Sequence, residues 1–196
     1  MELVLASASP RRKELLNQIG VQFSVKAADI CEAVRPGETS KAYVKRLAIE
    51  KAQAAFSDCS LDTAVLGADT TVVLDGNIIG KPQNKADAID ILMGLSGKTH
   101  QVITSVAIVS DEQTLSVVVE TNVTFRTLSM EECDTYWNTG EPLDKAGSYG
   151  IQGFGAVFVD RIEGSYSAVV GLPLAETAEL LQVIGVSIWQ QEEIQG

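Results

Sequence analysis

The segment from Ala64 to Leu74 is β-branched and apolar apart from Asp69 and the threonines beside it, and Asp75-Gly76-Asn77 then offers a tight hairpin into Ile78 and Ile79. An ionised carboxylate inside such a strand is costly unless it meets a cation, a metal ion or several hydrogen-bond donors. The pattern leaves two options for Asp69: a compensated buried charge, or a carboxylate at a strand end or edge in water.

Before this strand, Leu3 to Ala6 is a short apolar run stopped by Ser7-Ala8-Ser9-Pro10, after which Leu15, Leu16 and Ile19 recur at helical spacing before Gly20. The spacing predicts strand, loop and helix, with Ser9 as N-cap, Pro10 at the first helical position and Gly20 as the stop. A second strand is expected from Gln22 to Lys26. From Thr39 to about Ala55, a stripe of Val44, Leu47, Ala48, Lys51 and Ala55 predicts a helix whose buried face contains a lysine.

After the hairpin, Ala86 to Leu95 reads as a helix closed by Gly97. Gln101 to Val109 and Leu115 to Phe125 read as a long antiparallel pair separated by Ser110 to Gln113. Ser129 with Glu132 forms a capping-box start for a helix through Trp137. Gly147, Gly150, Gly153 and Gly155 mark an irregular stretch. Ala156 to Ile162 then reads as a strand, and Leu172-Pro173 starts a last helix through Leu181.

At roughly 150 residues per domain, 196 residues predict a single compact domain that can be two-lobed. A hydrophobic share of 45% against 21% charged residues excludes a disordered chain. Fifteen Lys and Arg against 26 Asp and Glu leave a net charge of −11, a field that repels nucleic-acid polymers and anionic lipid. The start Met1-Glu2-Leu3 lacks a basic targeting segment and no apolar run approaches a membrane span, so the expected location is cytoplasmic. Cys31, Cys59 and Cys133 contain no Cys-x-x-Cys pair and read as packing thiols in a reducing compartment. With His100 as the only histidine, a multi-histidine metal site is excluded. His100 reads as a satisfied polar residue at a strand start, and a serine hydrolase using it with Ser7 or Ser9 lacks a Gly-x-Ser-x-Gly elbow.

Ser9-Pro10-Arg11-Arg12 is anomalous, because the positive end of a helix dipole repels two guanidinium groups placed in its first turn. Either both arginines are solvated, or they join the Ser7 hydroxyl and the helix N–H groups in a phosphate site. Lys51 either snorkels to water or points its ammonium into a cleft. Gly80-Lys81-Pro82 adds a cation in a tight loop. The stretch Asp144 to Gly153 contains neither a P-loop nor a dinucleotide fingerprint; it is either a turn cluster or a place of close backbone approach to a ligand. Within it, Gln152 offers the donor and acceptor needed to read the edge of a planar base.

Taken together, Leu5-Ala6-Ser7-Ala8-Ser9-Pro10-Arg11-Arg12-Lys13-Glu14-Leu15-Leu16, Gly67-Ala68-Asp69-Thr70, Gly80-Lys81-Pro82, Asp144-Lys145-Ala146-Gly147-Ser148-Tyr149-Gly150-Ile151-Gln152-Gly153 and Val170-Gly171-Leu172-Pro173 closely resemble the Maf family of nucleoside triphosphate pyrophosphatases. The resemblance spans the chain except the tail from Ile188 to Gly196. It implies one α/β domain over residues 1–196: an elongated mixed sheet flanked by helices, with two lobes and a central cleft, similar to the inosine triphosphate pyrophosphatases. The implied activity is hydrolysis of a nucleoside triphosphate to monophosphate and pyrophosphate with a divalent metal ion such as Mg²⁺ or Mn²⁺.

By the same resemblance, Asp69 would be the general base and Ser7, Arg12, Lys51 and Lys81 would hold phosphates. Arg11, Thr70 and Gln152 would match positions tied to substrate choice, and Glu32 with Asp69 would hold the metal. Where the family often carries adjacent acidic residues after the second strand, this chain has Cys31-Glu32, with Asp29 two positions before Cys31. Pro-Arg-Arg, Ala-Asp-Thr and Gly-Ile-Gln-Gly resemble the branch acting on dTTP and UTP rather than the branch acting on 7-methyl-GTP. A non-catalytic nucleotide-binding regulator is the competing class, disfavoured by a carboxylate at Asp69. The expected partner is a nucleoside triphosphate, not a nucleic-acid polymer or a membrane; a homodimer is one option for assembly.

Overall fold

Consecutive side chains of a strand point to opposite faces, so the burial of Leu3, Val4 and Leu5 places β1 (Glu2–Leu5) inside a sheet covered on both sides. In the computed structural model, which describes residues 1–190 apart from Asp58 and Leu61, β1 runs parallel to β2 (Ser24–Val25) and to β3 (Thr63–Leu74). Among the described residues the sheet has seven strands, six of them in the order β2-β1-β3-β5-β6-β7, with β5 spanning Thr99–Val109, β6 Thr114–Phe125 and β7 Val159–Glu163. A short β4 (Asn77–Ile79) lies antiparallel on β3, and β7 lies antiparallel to β6. The link from β5 to β6 spans residues 110–113, which joins only antiparallel neighbours. The helices are α1 (Pro10–Gln18), α2 (Ser40–Phe56), α3 (Lys85–Leu95), α4 (Met130–Trp137), α5 (Tyr166–Val170) and α6 (Leu174–Val183). The architecture is the expected α/β type, a mixed sheet flanked by helices.

Two compact units are built on this sheet: Met1–Asp69, Thr104–Val118 and the chain from Gly171 form the first, and Thr70–Ile103 with Val119–Val170 the second. In the first, Val44, Leu47, Ala48, Ala52 and Ala55 form the buried stripe of α2, and Thr39 caps that helix by accepting the Ala42 N–H at 3.3 Å. Helix α1 starts at Pro10 as expected, but Ser9 makes no side-chain cap bond; its own N–H donates instead to the Ser7 hydroxyl at 3.2 Å. The strand expected over residues 22–26 shrinks to Ser24–Val25, both exposed, because this edge has only β1 beside it.

In the second unit, Asp75 and Gly76 both take positive φ, 49° and 80°, as the tight hairpin between β3 and β4 demands. Asn84 and Ser129 cap α3 and α4, the latter with the full capping box to Glu132. Leu92, Leu95, Val123, Phe125, Tyr136 and Phe158 belong to one core cluster. The expected strand from Ala156 to Ile162 is half right: Phe154–Phe158 is a 3-10 turn, and extended structure begins at Val159. That turn buries Phe158 against the Tyr136 ring, with centroids 4.9 Å apart, while Phe154 and Val157 face solvent, a three-residue repeat that a strand cannot present.

His100 is buried in this unit at 1% exposure, edge-on to Phe125, with Nε2 2.9 Å from the Tyr149 hydroxyl and Nδ1 without a hydrogen-bond partner among the described residues. The expectation of a satisfied histidine therefore holds for one ring nitrogen only. Burial pushes its imidazolium pKa down to about 4 from the usual 6.5. The unfolded chain takes up this proton first, so the His100 contribution to stability is complete above pH 6.5 and is lost as pH falls toward 4. The loss should reach on the order of 3 kcal/mol, from 1.36 kcal/mol per pKa unit. Glu38 and Glu132, both held at about 2 by arginine partners, lose their contributions only at lower pH. Denaturant melts at pH 7 and pH 4.5 check this, and a His100→Gln variant should lack most of the difference.

Among the described residues, no helix is long and apolar enough to cross a membrane.

Candidate active site

Gly67 sets the geometry of the first unit. A Cβ at this position would lie 2.2 Å from the Ala48 carbonyl oxygen and 2.8 Å from the Ala52 nitrogen, so β3 presses directly on the α2 backbone. Two residues further along β3, on the same face, Asp69 meets Lys51 from that helix, with Nζ 2.8 Å from Oδ1. The same ammonium lies 2.6 Å from Glu32 Oε1. The lysine in the apolar stripe is thus neither snorkelling nor alone: it joins two carboxylates.

Burial raises the Asp69 carboxyl above its ordinary value; the charge and hydrogen bond of Lys51 and the charge of Arg12 pull it back, and Glu32 adds to the rise. Of the two options for Asp69, the compensated buried charge is the one found. Arg12 is fixed by Nε donating to the Gly171 carbonyl at 2.9 Å and Nη1 to the Ser7 hydroxyl at 3.3 Å. Burial holds its pKa below the ordinary arginine value, with the charge of Asp69 pulling the other way. Arg11 lies close enough for its charge to act on Arg12. Ser7, Arg12, Glu32, Lys51 and Asp69 are therefore gathered in one unit.

Glu32 precedes α2 without lying on a regular element, and two residues not singled out in the sequence hold its segment there. The Tyr43 hydroxyl donates to the Glu32 carbonyl at 3.0 Å, and Arg46 donates to the Ala33 carbonyl at 3.1 Å while pairing with Glu38 at 2.6 Å. Burial, then the charges of Asp69 and Glu32, push the Tyr43 phenol up to about 12, so it remains a donor. Part of this was legible, since Tyr43 and Lys51 lie eight residues apart on one side of α2, but Glu32 lies before the helix and no spacing rule reaches it.

The second unit carries Thr70, Lys81 and Gln152. Thr70 follows Asp69 on β3 and points to the opposite face. Lys81 and Gln152 are exposed. The Gly147 N–H donates to the Gly80 carbonyl at 3.1 Å, which ties the Lys81 loop to the start of the glycine-dense stretch. There two glycines also make room for side chains of the loop itself. Gly153 makes room for Glu141, since a Cβ there would lie 2.0 Å from Oε2, and Gly150 makes room for Lys145 and Glu141, whose Cε and Oε1 would lie 2.8 and 3.0 Å from its Cβ. Lys145 also serves its own loop, donating to the Glu141 carbonyl at 3.0 Å and to Asp144 at 2.7 Å. His100 bonds Tyr149, and Ser7 bonds Arg12 and Ser9, so the serine-hydrolase pairing is absent from the described hydrogen bonds.

The family model described as Maf-like protein matches residues 2–184. This chain belongs to the Maf family. It is 55% identical over 182 residues to the dTTP/UTP pyrophosphatase of Vibrio parahaemolyticus, covering 93% of this chain and 96% of that protein. It is 53% identical over 189 residues to the dTTP/UTP pyrophosphatase of Hahella chejuensis, covering 95% and 94%. Among solved structures, a nucleoside-triphosphatase / dITP/XTP pyrophosphatase from Mycobacterium abscessus matches with a TM-score of 0.46 at 15% identity, over 81% of this chain and 82% of that one.

Proposed function

We propose that this protein hydrolyses nucleoside triphosphates, dTTP and UTP foremost, to the nucleoside monophosphate and pyrophosphate. The observation that carries the reading is Asp69, buried in β3 yet charge-compensated by Lys51, beside Arg12 and Ser7. Relatives more than half identical over nearly their whole length bear the dTTP/UTP pyrophosphatase name. In the reaction, water oxygen bonds to the α-phosphorus, the bond from that phosphorus to the bridging oxygen breaks, and the water proton passes to Asp69. A carboxyl raised by burial is a stronger base than one in water. Arg12, Lys51 and Lys81 neutralise phosphate charge, the Ser7 hydroxyl donates a hydrogen bond to a phosphate oxygen, and Arg11, Thr70 and Gln152 set the choice of base. Residues 1–196 act on this reading as one functional domain in the cytoplasm.

A divalent ion fits the donor set. Glu32 and Asp69 are oxygen donors that already converge on one cation, the Lys51 ammonium. Among the described residues, no group of three or more His, Cys, Asp or Glu is placed to hold a metal, so further ligands would be phosphate oxygens and water, as Mg²⁺ favours. When bound, such an ion supplies charge neutralisation and lowers the pKa of water.

The test is a panel of UTP, dTTP, CTP, GTP and ATP with Mg²⁺ or Mn²⁺ in ¹⁸O-water. Monophosphate carrying the label, with unlabelled pyrophosphate, is the expected result; diphosphate with orthophosphate, or label in pyrophosphate, overturns the reading. In the same panel, Gln152→Ala should lower kcat/KM for UTP and dTTP selectively, because an amide matches a base edge whereas an ammonium senses only charge. Lys81→Ala should weaken every substrate alike. A uniform drop in Gln152→Ala would remove that residue from base choice.

A further inference from the structure

Glu141 is the acceptor around which the glycine-dense loop is built. Its Oε1 accepts the Tyr136 hydroxyl at 2.7 Å and the Gly155 N–H at 3.0 Å, and its Oε2 accepts the Phe154 N–H at 2.8 Å. Tyr136 Oη in turn accepts the Gly150 N–H at 3.1 Å. These bonds clamp the backbone on both sides of exposed Gln152, at residue 150 before it and at 154 and 155 after it. Gly153 is compatible with nothing larger, given the 2.0 Å from its Cβ position to Oε2. Burial works against the charge on Glu141, but the Gly155 amide, the Tyr136 hydroxyl and the Phe154 amide outweigh it and lower the pKa. An ionised carboxylate suits this place because its hydrogen-bond partners, the Tyr136 hydroxyl and the Phe154 and Gly155 amides, all donate to it.

A neutral amide discriminates between bases only where its backbone is held to within about 0.5 Å by supporting groups. We propose that Glu141 and Tyr136 are positioning residues that fix the loop and thereby aim Gln152, setting the preference for one base class without touching the substrate. The proposal rests on the reading of Gln152 given above. Both residues lie on the second unit's own frame, Tyr136 at the buried face of α4 and Glu141 in the 3-10 turn Glu141–Asp144.

The experiment measures kcat and KM for UTP, dTTP, CTP and ATP in the full chain, in Glu141→Gln, Tyr136→Phe and Gln152→Ala, and in the double variant of Glu141→Gln with Gln152→Ala. Glutamine at 141 turns one acceptor into an NH₂ facing an N–H donor. The ratio of kcat/KM for UTP over CTP should then fall about tenfold, mainly through KM, the scale of one lost charged hydrogen bond. The double variant should show the ratio of Gln152→Ala alone, because both changes act through one residue. Additive losses, or a uniform loss on all four substrates, overturn the proposal. If Gln152→Ala flattens the ratio while Glu141→Gln does not, positioning fails and the Gln152 reading stands. If Gln152→Ala leaves the ratio intact, that reading fails and the proposal falls with it. Should Glu141→Gln not fold, Tyr136→Phe decides by the same ratio, with a smaller fall expected.

Discussion

Replacing Asp69 by asparagine lowers kcat on UTP and dTTP by roughly 10²-fold or more, the scale of a lost general base. The side chain keeps its size and its Oδ1 acceptor for Lys51, but it can no longer take a proton from water. Removing one partner of a buried ion pair usually destabilises strongly, because the other charge is stranded. Here the Lys51 ammonium keeps Glu32 at 2.6 Å, so the melting temperature should move little. Steady-state kinetics beside a thermal melt check both halves. Near-normal turnover would remove Asp69 from the chemistry, and a collapsed melt would assign it to folding.

The largest stability effect is expected at Gly67→Ala. Its new methyl carbon would sit 2.2 Å from the Ala48 carbonyl oxygen and 2.8 Å from the Ala52 nitrogen, and both are helix backbone that cannot rotate aside. Strand and helix must separate, at a cost of about 3 kcal/mol for overpacking of this kind. For a chain of this length that corresponds to a fall of roughly 10 °C in Tm. Activity should fall further than stability, because the Lys51–Asp69 contact of 2.8 Å depends on the same approach. Gly94→Ala is the control: it lies in α3, and a Cβ there meets nothing within 4 Å. That change should be neutral or add about 0.5–1 kcal/mol. Equal melting temperatures for the two variants would show that β3 and α2 have slack at Gly67.

What was legible in the sequence was local. The helical spacing of Val44, Leu47, Ala48 and Ala55, the Ser129 capping box and the Asp75-Gly76 turn each express a short-range steric or hydrogen-bond rule, and each appears in the structure. The anomalous residues were legible for the same reason, since a carboxylate in an apolar strand and a lysine in an apolar stripe violate local rules unless something compensates them.

What compensates them was decided by tertiary structure. No spacing rule joins Lys51 to both Glu32 and Asp69; Gly67 does, by letting β3 approach α2 closely. Nor could periodicity separate a strand from a 3-10 turn at Ala156, because the choice depends on Phe158 finding the Tyr136 ring. Glu141 is the clearest case. In the sequence it is one acidic residue before a proline, whereas in the fold its carboxylate collects backbone N–H groups from a loop more than ten residues further along the chain. Residue types and local periods determined the elements and flagged the charged groups. Which charges meet, and which backbone they hold, followed only from packing the elements together, because desolvation and hydrogen bonding depend on neighbours distant in sequence.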